Sequence, residues 1–210
     1  MLGFPLGVLF ANGFEWFAHK YVLHGVPKHG QPRYSPFPKN MRSHWAHHKE
    51  VRLTSFHDHA YEEGLMNWRT RNEVASLLVL TGATTLVAPV APFFTLGTYY
   101  GAARYFYVHR KAHLDPAWGR QHVPWHYDHH MNKSQDANWC VTRPWFDYLM
   151  GTRVMASPVW AESNPLGWKL PGFLEKPLNQ WTQRWFPPVY AAQQIAPDML
   201  AKGQEGVMHG

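Results

Sequence analysis

Fifteen histidines are spread over 210 residues, and ten of them fall into four short clusters. These read His19-x4-His24, His44-x2-His47-His48, His109-x3-His113 and His126-x2-His129-His130. A lone histidine is more often a core or surface residue than a ligand, but four clusters on one short chain are a different matter. Neutral imidazole suits Fe, Zn, Cu and Ni, and a single tetrahedral zinc takes only three or four protein ligands. Ten convergent imidazoles are too many for one metal and about right for two. The spacing therefore predicts a two-metal site built from nitrogen ligands.

Residues three or four apart share a helix face. His109 with His113, His126 with His129 or His130, and His44 with His47 or His48 can each grip one ion. In both His-x2-His-His boxes the adjacent pair points in different directions, so one member can serve each metal. His19 and His24, five apart, are expected to straddle a helix end. An all-imidazole shell leaves the metal charge uncompensated and favours an added oxide, hydroxide or water. The rival di-iron design of four-helix bundles uses Glu with Glu-x-x-His pairs; no Glu-x-x-His occurs here, which excludes it. His29, His57, His59, His122 and His209 lie outside the boxes. His57 and His59 read as surface residues, with a supporting role behind the ligands as the alternative, and His122, four before His126, can share its face. Asp115, Asp128 and Asp136 can orient ligand imidazoles or serve as ordinary caps and surface carboxylates.

The elements that carry these boxes follow from charge segregation. Residues 1–14 and 74–103 hold no charged side chain, while Lys and Arg cluster in 20–73 and 104–202, for a net charge of +6. Residues 2–18 predict an apolar helix near the short end of the spanning range, ended by His24-Gly25 and Pro27. The run 74–108 predicts a hydrophobic hairpin turning near Pro89–Pro92, spanning with a tilt or entering one leaflet and returning. Such a hairpin brings all four boxes to one side, the side that holds the Lys and Arg, so the positive-inside rule predicts an integral, multi-pass membrane protein with its metal site facing the cytoplasm. The alternative for 74–108 is a buried core hairpin, in keeping with a mean hydropathy of −0.41. The expected fold is thus all-α, membrane-embedded helices carrying a histidine-rich di-metal cap over residues 1–155. A Trp- and Pro-rich extension follows over 156–210, with Trp160, Trp168, Trp181 and Trp185 expected to pack along the cap or the membrane interface and the last fifteen residues frayed.

Composition also narrows the partners. A single cysteine, Cys140, excludes an internal disulfide and Cys-rich metal sites and reads as a small buried residue. The apolar start has no preceding Lys or Arg and no small-residue cleavage site, so it reads as a retained segment and not a secretory signal. The positive charge attracts anionic lipid or nucleic acid; no nucleic-acid-binding motif is present, which favours lipid.

The segments EWFAHKYVLHG (15–25), HWAHH (44–48), HRKAH (109–113), HYDHH (126–130) and NWCVTRPWFDYLMGT (138–152), with the hairpin between, resemble the fatty acid hydroxylase (sterol desaturase) superfamily of membrane di-metal oxygenases. The likeness runs from Glu15 to Thr152. Box spacing is most similar to the fatty acid and sphingolipid 2-hydroxylase branch; FAHKYVLHG also resembles bacterial carotenoid hydroxylases, whose third box typically has one more residue. The resemblance implies two Fe ions that activate O2 and insert oxygen into an unactivated C–H bond of a fatty acyl, sphingolipid, sterol or carotenoid substrate. It makes all ten boxed histidines metal-ligand candidates, with no catalytic residue beyond them. The chain opens directly on the box-1 helix, which predicts fewer membrane helices than in many relatives. It has no fused cytochrome b5 domain, so a separate ferredoxin- or cytochrome b5-like donor with its reductase is expected.

Desaturation begins with the same hydrogen abstraction and is an alternative outcome. A zinc hydrolase, its metals generating hydroxide, is another. A metal carrier ranks lowest, because 74–103 holds none of the ionisable residues such a path needs. Imidazole sites prefer zinc to Fe(II), so zinc can occupy the site in purified protein. Tyr99, Tyr100, Tyr105, Phe106 and Tyr107, ahead of the third box, are either walls of a substrate slot or ordinary helix packing.

Overall fold

The computed structural model describes residues 2–27, 31–155, 164–168 and 170–190. His29, Trp160, His209 and the last fifteen residues lie outside them. The regular structure of the described chain is helical, apart from two-residue strands β1 (Val154–Met155) and β2 (Val189–Tyr190), which pair in parallel. Helix α1 (Gly3–Phe17) runs directly into a π-helical turn, Ala18–Leu23. Then follow α2 (Pro38–Leu53), α3 (Ala60–Glu63) with a 3₁₀ turn (Gly64–Met66), α4 (Trp68–Thr85) and α5 (Pro92–Leu114). The chain closes with α6 (Pro116–His122), α7 (Pro124–Met131), α8 (Trp145–Leu149) and α9 (Gly172–Trp185). Helices α2, α5, α6 and α7 each start with proline in the first turn, where its missing N–H costs no hydrogen bond.

The pairing of α1 with α5 sets the level of the site. Glycines let the backbones touch: a Cβ on Gly7 would collide with the Phe94 carbonyl, and one on Gly97 with the Phe4 carbonyl. Gly3 meets Phe93, Gly7 meets Gly97 and Ala11 meets Gly101. The two helices therefore run in the same direction at a constant register, and that register carries their C-terminal ends, with His19 and His109, to the same height. Helix α4 returns the chain alongside α5, with Thr95 Oγ1 donating to the Thr84 carbonyl at 3.2 Å. Beneath the histidines, Val51, Phe56, Val108, Ala112, Val123, Trp125 and Val141 form one apolar core, and Trp16, Trp139 and Cys140 a second.

The membrane-spanning expectation is overturned. Among the described residues no helix is long and apolar enough to cross a membrane. The reason is how each helix spends its length. Fifteen residues of α1 reach about 22 Å, against roughly 30 Å of hydrocarbon. Helix α4 opens on Trp-Arg-Thr-Arg-Asn-Glu, and the last third of the 23-residue α5 is the charged third box. The turn does fall at residues 86–91, but α4 starts six residues earlier than the apolar run and α5 continues through His113. The hairpin is not a buried core element either, since Leu78, Val79, Leu86 and Val90 are exposed. With the exposed Leu6, Leu9, Phe10, Phe14, Phe93 and Leu96 they give α1, α4 and α5 an apolar outer surface. Of the C-terminal tryptophans, Trp168 packs edge-on against Trp145, whereas Trp181 and Trp185 on α9 are exposed.

Candidate metal centre

All ten boxed histidines are buried, none more than 7 % exposed. Nine of them fall into two sets. His19, His24, His44, His48 and His129 bring one nitrogen each to within 4.8 Å of one another, and His47, His109, His113 and His130 do the same. The tenth, His126, adjoins the second set with its Nε2 3.0 Å from His113 Nε2. The buried clusters could hold metal ions.

Local structure explains the partition. His109 and His113, four apart on α5, enter the same set, while on α2 His44 and His48 enter the first and His47 the second. On α7, His129 goes to the first set and His130 to the second, beside His126 at 4.6 Å between ring centres. The first box uses a different device. On an α-helix, residues five apart diverge by about 140°. Here the chain is π-helical from Ala18 to Leu23, and the His24 N–H donates to the His19 carbonyl at 2.9 Å. A π-turn bonds each residue to the fifth along, so His19, inside the turn, and His24, at its C-terminal cap, straddle the helix end and still converge on one set.

Hydrogen bonds fix which nitrogen each ring presents. Nδ1 donates to a backbone carbonyl in His19 (Trp139, 2.5 Å), His129 (Ala137, 2.6 Å) and His113 (Phe56, 2.8 Å). It donates to a carboxylate in His47 (Asp58, 2.5 Å), His109 (Glu73, 2.5 Å) and His24 (Asp136, 3.3 Å). Burial above all, reinforced by crowding among the imidazoles, lowers the pKa of His19, His44, His47, His48, His113, His126, His129 and His130. Burial lowers that of His24 too, against the opposing pull of Asp136. A neutral imidazole has one N–H. With Nδ1 donating outward, Nε2 of His19, His24, His47, His113 and His129 keeps a bare lone pair directed inward.

Those lone pairs are crowded together. Nε2–Nε2 separations are 2.9 Å for His19–His44 and His44–His48, 3.0 Å for His48–His129 and 3.2 Å for His24–His48. His48 Nε2 thus faces three other Nε2 atoms and carries at most one proton. In the second set, Nε2 of His47, His109 and His130 is buried with no hydrogen-bond partner. Buried polar atoms without partners are costly, and a shared cation is what satisfies them. Metal–imidazole bonds of about 2.0–2.1 Å place neighbouring nitrogens ~2.9 Å apart at right angles and ~3.4 Å apart at the tetrahedral angle. The donor set therefore fits two metal ions.

The groups behind the ligands divide by set. The second set leans on buried Asp58, itself ion-paired to Arg69 at 2.9 Å, and on Glu73, which also accepts from Tyr61 Oη at 2.7 Å. The first leans on the Ala137 and Trp139 carbonyls, on Gln135 beside His48 Nδ1 at 2.7 Å, and on Asp136, which Arg33 grips at 2.6 Å. Hydrogen bonds from His24 and Arg33 hold the Asp136 carboxyl far below the usual range. The segment 138–152 acquires a physical role here. Asp147 accepts from the Trp139 and Cys140 N–H groups at 2.8 and 2.9 Å, and Glu15 accepts from the Val141 and Thr142 N–H groups, which pins the carbonyls that aim His19 and His129. Burial pushes the Glu15 carboxyl up to about 7, against the pull of those hydrogen bonds.

Of the carboxylates singled out from sequence, Asp136 reaches a ligand. Asp128 is ion-paired with Arg153 at 2.9 Å, and Asp115 caps α6 through the Trp118 N–H. His122 stacks on Trp118, because the break at Val123 between α6 and α7 takes it off the face of His126. His57 and His59 point outward and pair with Glu62. Asp58, Glu73, Tyr61 and Gln135 carry no spacing signal that would single them out. Among the aromatic residues before box three, Tyr105 lies 5.3 Å from the His109 ring and Phe106 packs on Tyr61, whereas Tyr99 bonds Thr85, Tyr100 packs on Phe4 and Tyr107 is exposed. A recess of about 590 Å³ lined by Lys39, Arg42, Trp68, Arg71, Asn72 and Ala75 contains none of the clustered histidines.

No family model, no curated protein and no solved structure matches this chain.

Proposed function

We propose that this chain is an O2-dependent di-iron hydroxylase acting on a lipid-class substrate. The observation that carries the reading is the convergence of ten buried imidazoles, nine of them in two sets that contain no carboxylate and the tenth, His126, adjoining the second. When bound, a pair of irons supplies the reductive activation of O2 and the insertion of one oxygen atom into a C–H bond. His19, His24, His44, His48 and His129 would hold one ion, and His47, His109, His113 and His130, with His126, the other. The chain keeps water from the ligands by burying them, and it holds the Nδ1 protons of His19, His24, His47, His109, His113 and His129 on outer acceptors so that Nε2 stays free to bind. Asp58 and Glu73 put negative charge behind His47 and His109, which raises the basicity of those ligands.

The lipid class is supported by the apolar outer faces of α1, α4 and α5, since large exposed apolar surfaces mark sites that meet apolar partners. The same helices deliver the first and third boxes. Electrons would come from a separate ferredoxin- or cytochrome b5-like donor.

The test compares the lipids of cells expressing the wild type and His129→Ala. A lipid heavier by one oxygen atom, present only with the wild type and formed only with O2 and reductant, is the expected result. A product lighter by two hydrogens would make the enzyme a desaturase. Turnover with zinc, without O2 or reductant, would make it a hydrolase and overturn the oxygenase reading.

A further inference from the structure

The segment from Thr54 to Glu62 works with two faces. Its inner face reaches three histidines of the second set: the Phe56 carbonyl takes the His113 Nδ1 proton, Asp58 takes that of His47, and Tyr61 Oη lies 2.8 Å from His109 Nδ1. Its outer face carries His57, His59 and Glu62. His57 Nε2 lies 3.0 Å from Glu62 Oε1, and His59 Nδ1 lies 3.3 Å from Glu62 Oε2. The three groups bring one ligand atom each to within 4.8 Å of one another.

We propose that His57, His59 and Glu62 form a third transition-metal site, separate from the buried centre and freely exchangeable. Two imidazoles and one carboxylate make a borderline-soft donor set of the kind zinc takes in three-ligand sites, with the remaining positions left to water. Each imidazole already lies against one oxygen of the Glu62 carboxylate, at 3.0 and 3.3 Å, so an ion can replace the shared protons with little movement of the side chains. The backbone holds the donors in place. Ser55 and Phe56 take left-handed conformations (φ 54° and 80°), Thr54 Oγ1 donates to the His57 carbonyl, and the Glu62 N–H donates to the His59 carbonyl at 3.0 Å. His59 and Glu62, three apart across the first turn of α3, share one face. Hydrogen bonds from the two imidazoles lower the Glu62 carboxyl pKa, so the carboxylate is ionised and available. At 57 % and 56 % side-chain exposure, His59 and Glu62 are open to solvent, whereas every boxed histidine is buried. An ion bound here would stiffen the segment whose other face aims three ligands of the second set.

The experiment loads the full chain with zinc, strips weakly held metal with a chelator, and then titrates in Zn²⁺ calorimetrically. The wild type is expected to bind one further equivalent. His59→Ala and Glu62→Gln are expected to lose it while keeping the same chelator-resistant zinc and the same circular dichroism. A wild type that takes up no further ion, or variants that bind it as the wild type does, would overturn the third site. Loss of chelator-resistant zinc in both variants would overturn its independence from the buried centre.

Discussion

Six of the ligand candidates, His19, His24, His47, His109, His113 and His129, tie Nδ1 outward and present Nε2 inward. The outward tie is where single substitutions act most cleanly. Asp58→Asn and Glu73→Gln keep the shape but remove the charge behind His47 and His109. Loss of such a partner typically costs about 10–100-fold in metal affinity. Competition with a chelator should show that loss for one ion only, the one in the second set, with the five-nitrogen set unchanged. Equal weakening of both ions would mean that the sets are not separate. At this scale the clustered histidines were legible and their partners were not. The four boxes announce themselves by spacing, but Asp58 lies 11 residues from His47 and Glu73 lies 36 from His109, pairings that only the folded chain creates. Asp136, adjacent to the boxes in sequence, was the exception.

Among the elements, the π-turn and the α1–α5 contact decide whether the boxes meet. Inserting an alanine after Val22 would add one residue to the turn at Ala18–Leu23 and rotate His24 about 100° out of its set. Metal retention by the first set should fall, as read by zinc release to a chelator, and the second set should hold. At the helix crossing, Gly97→Leu has no space against the Phe4 carbonyl and Gly7. Overpacking of this kind costs about 1–3 kcal/mol, so the denaturation midpoint should drop and box one should separate from box three, lowering metal content as well. Helical spacing made the faces of α2, α5 and α7 readable, and the prolines around residue 90 made the turn readable. The π-turn left no mark, because a histidine pair five apart looks misaligned until the local hydrogen bonding is known. The bounds of α4 and α5 differ from those of the apolar run 74–108, because both helices continue through charged residues as long as their buried face is supplied.

For the molecule as a whole, burying so many neutral imidazoles couples folding to pH. The folded pKa of nine boxed histidines lies below the ordinary 6.5, so the folded state resists protons that the unfolded chain accepts. Stability is therefore present above pH 6.5 and lost as the pH falls below it. Each group removes up to about 1.4 kcal/mol per pH unit, enough in combination to unfold a typical domain. Metal-free protein should unfold cooperatively in mildly acidic buffer while remaining folded near neutrality, as followed by circular dichroism. A flat stability profile across pH 7.5 to 5.5 would contradict the neutral, buried cluster. Charge segregation predicted membrane spans at this scale, and it failed because helix length is shared between apolar and ligand-bearing stretches, as in α5. What survives is a helical scaffold with an apolar outer surface and one histidine-lined interior. Iron-edge X-ray absorption with metal counting, on iron-loaded and chelator-washed protein, tests the central claim most directly. Two tightly held irons per chain, each with imidazole-dominated scattering, are predicted; a single iron, or a shell dominated by carboxylate oxygen, would contradict it.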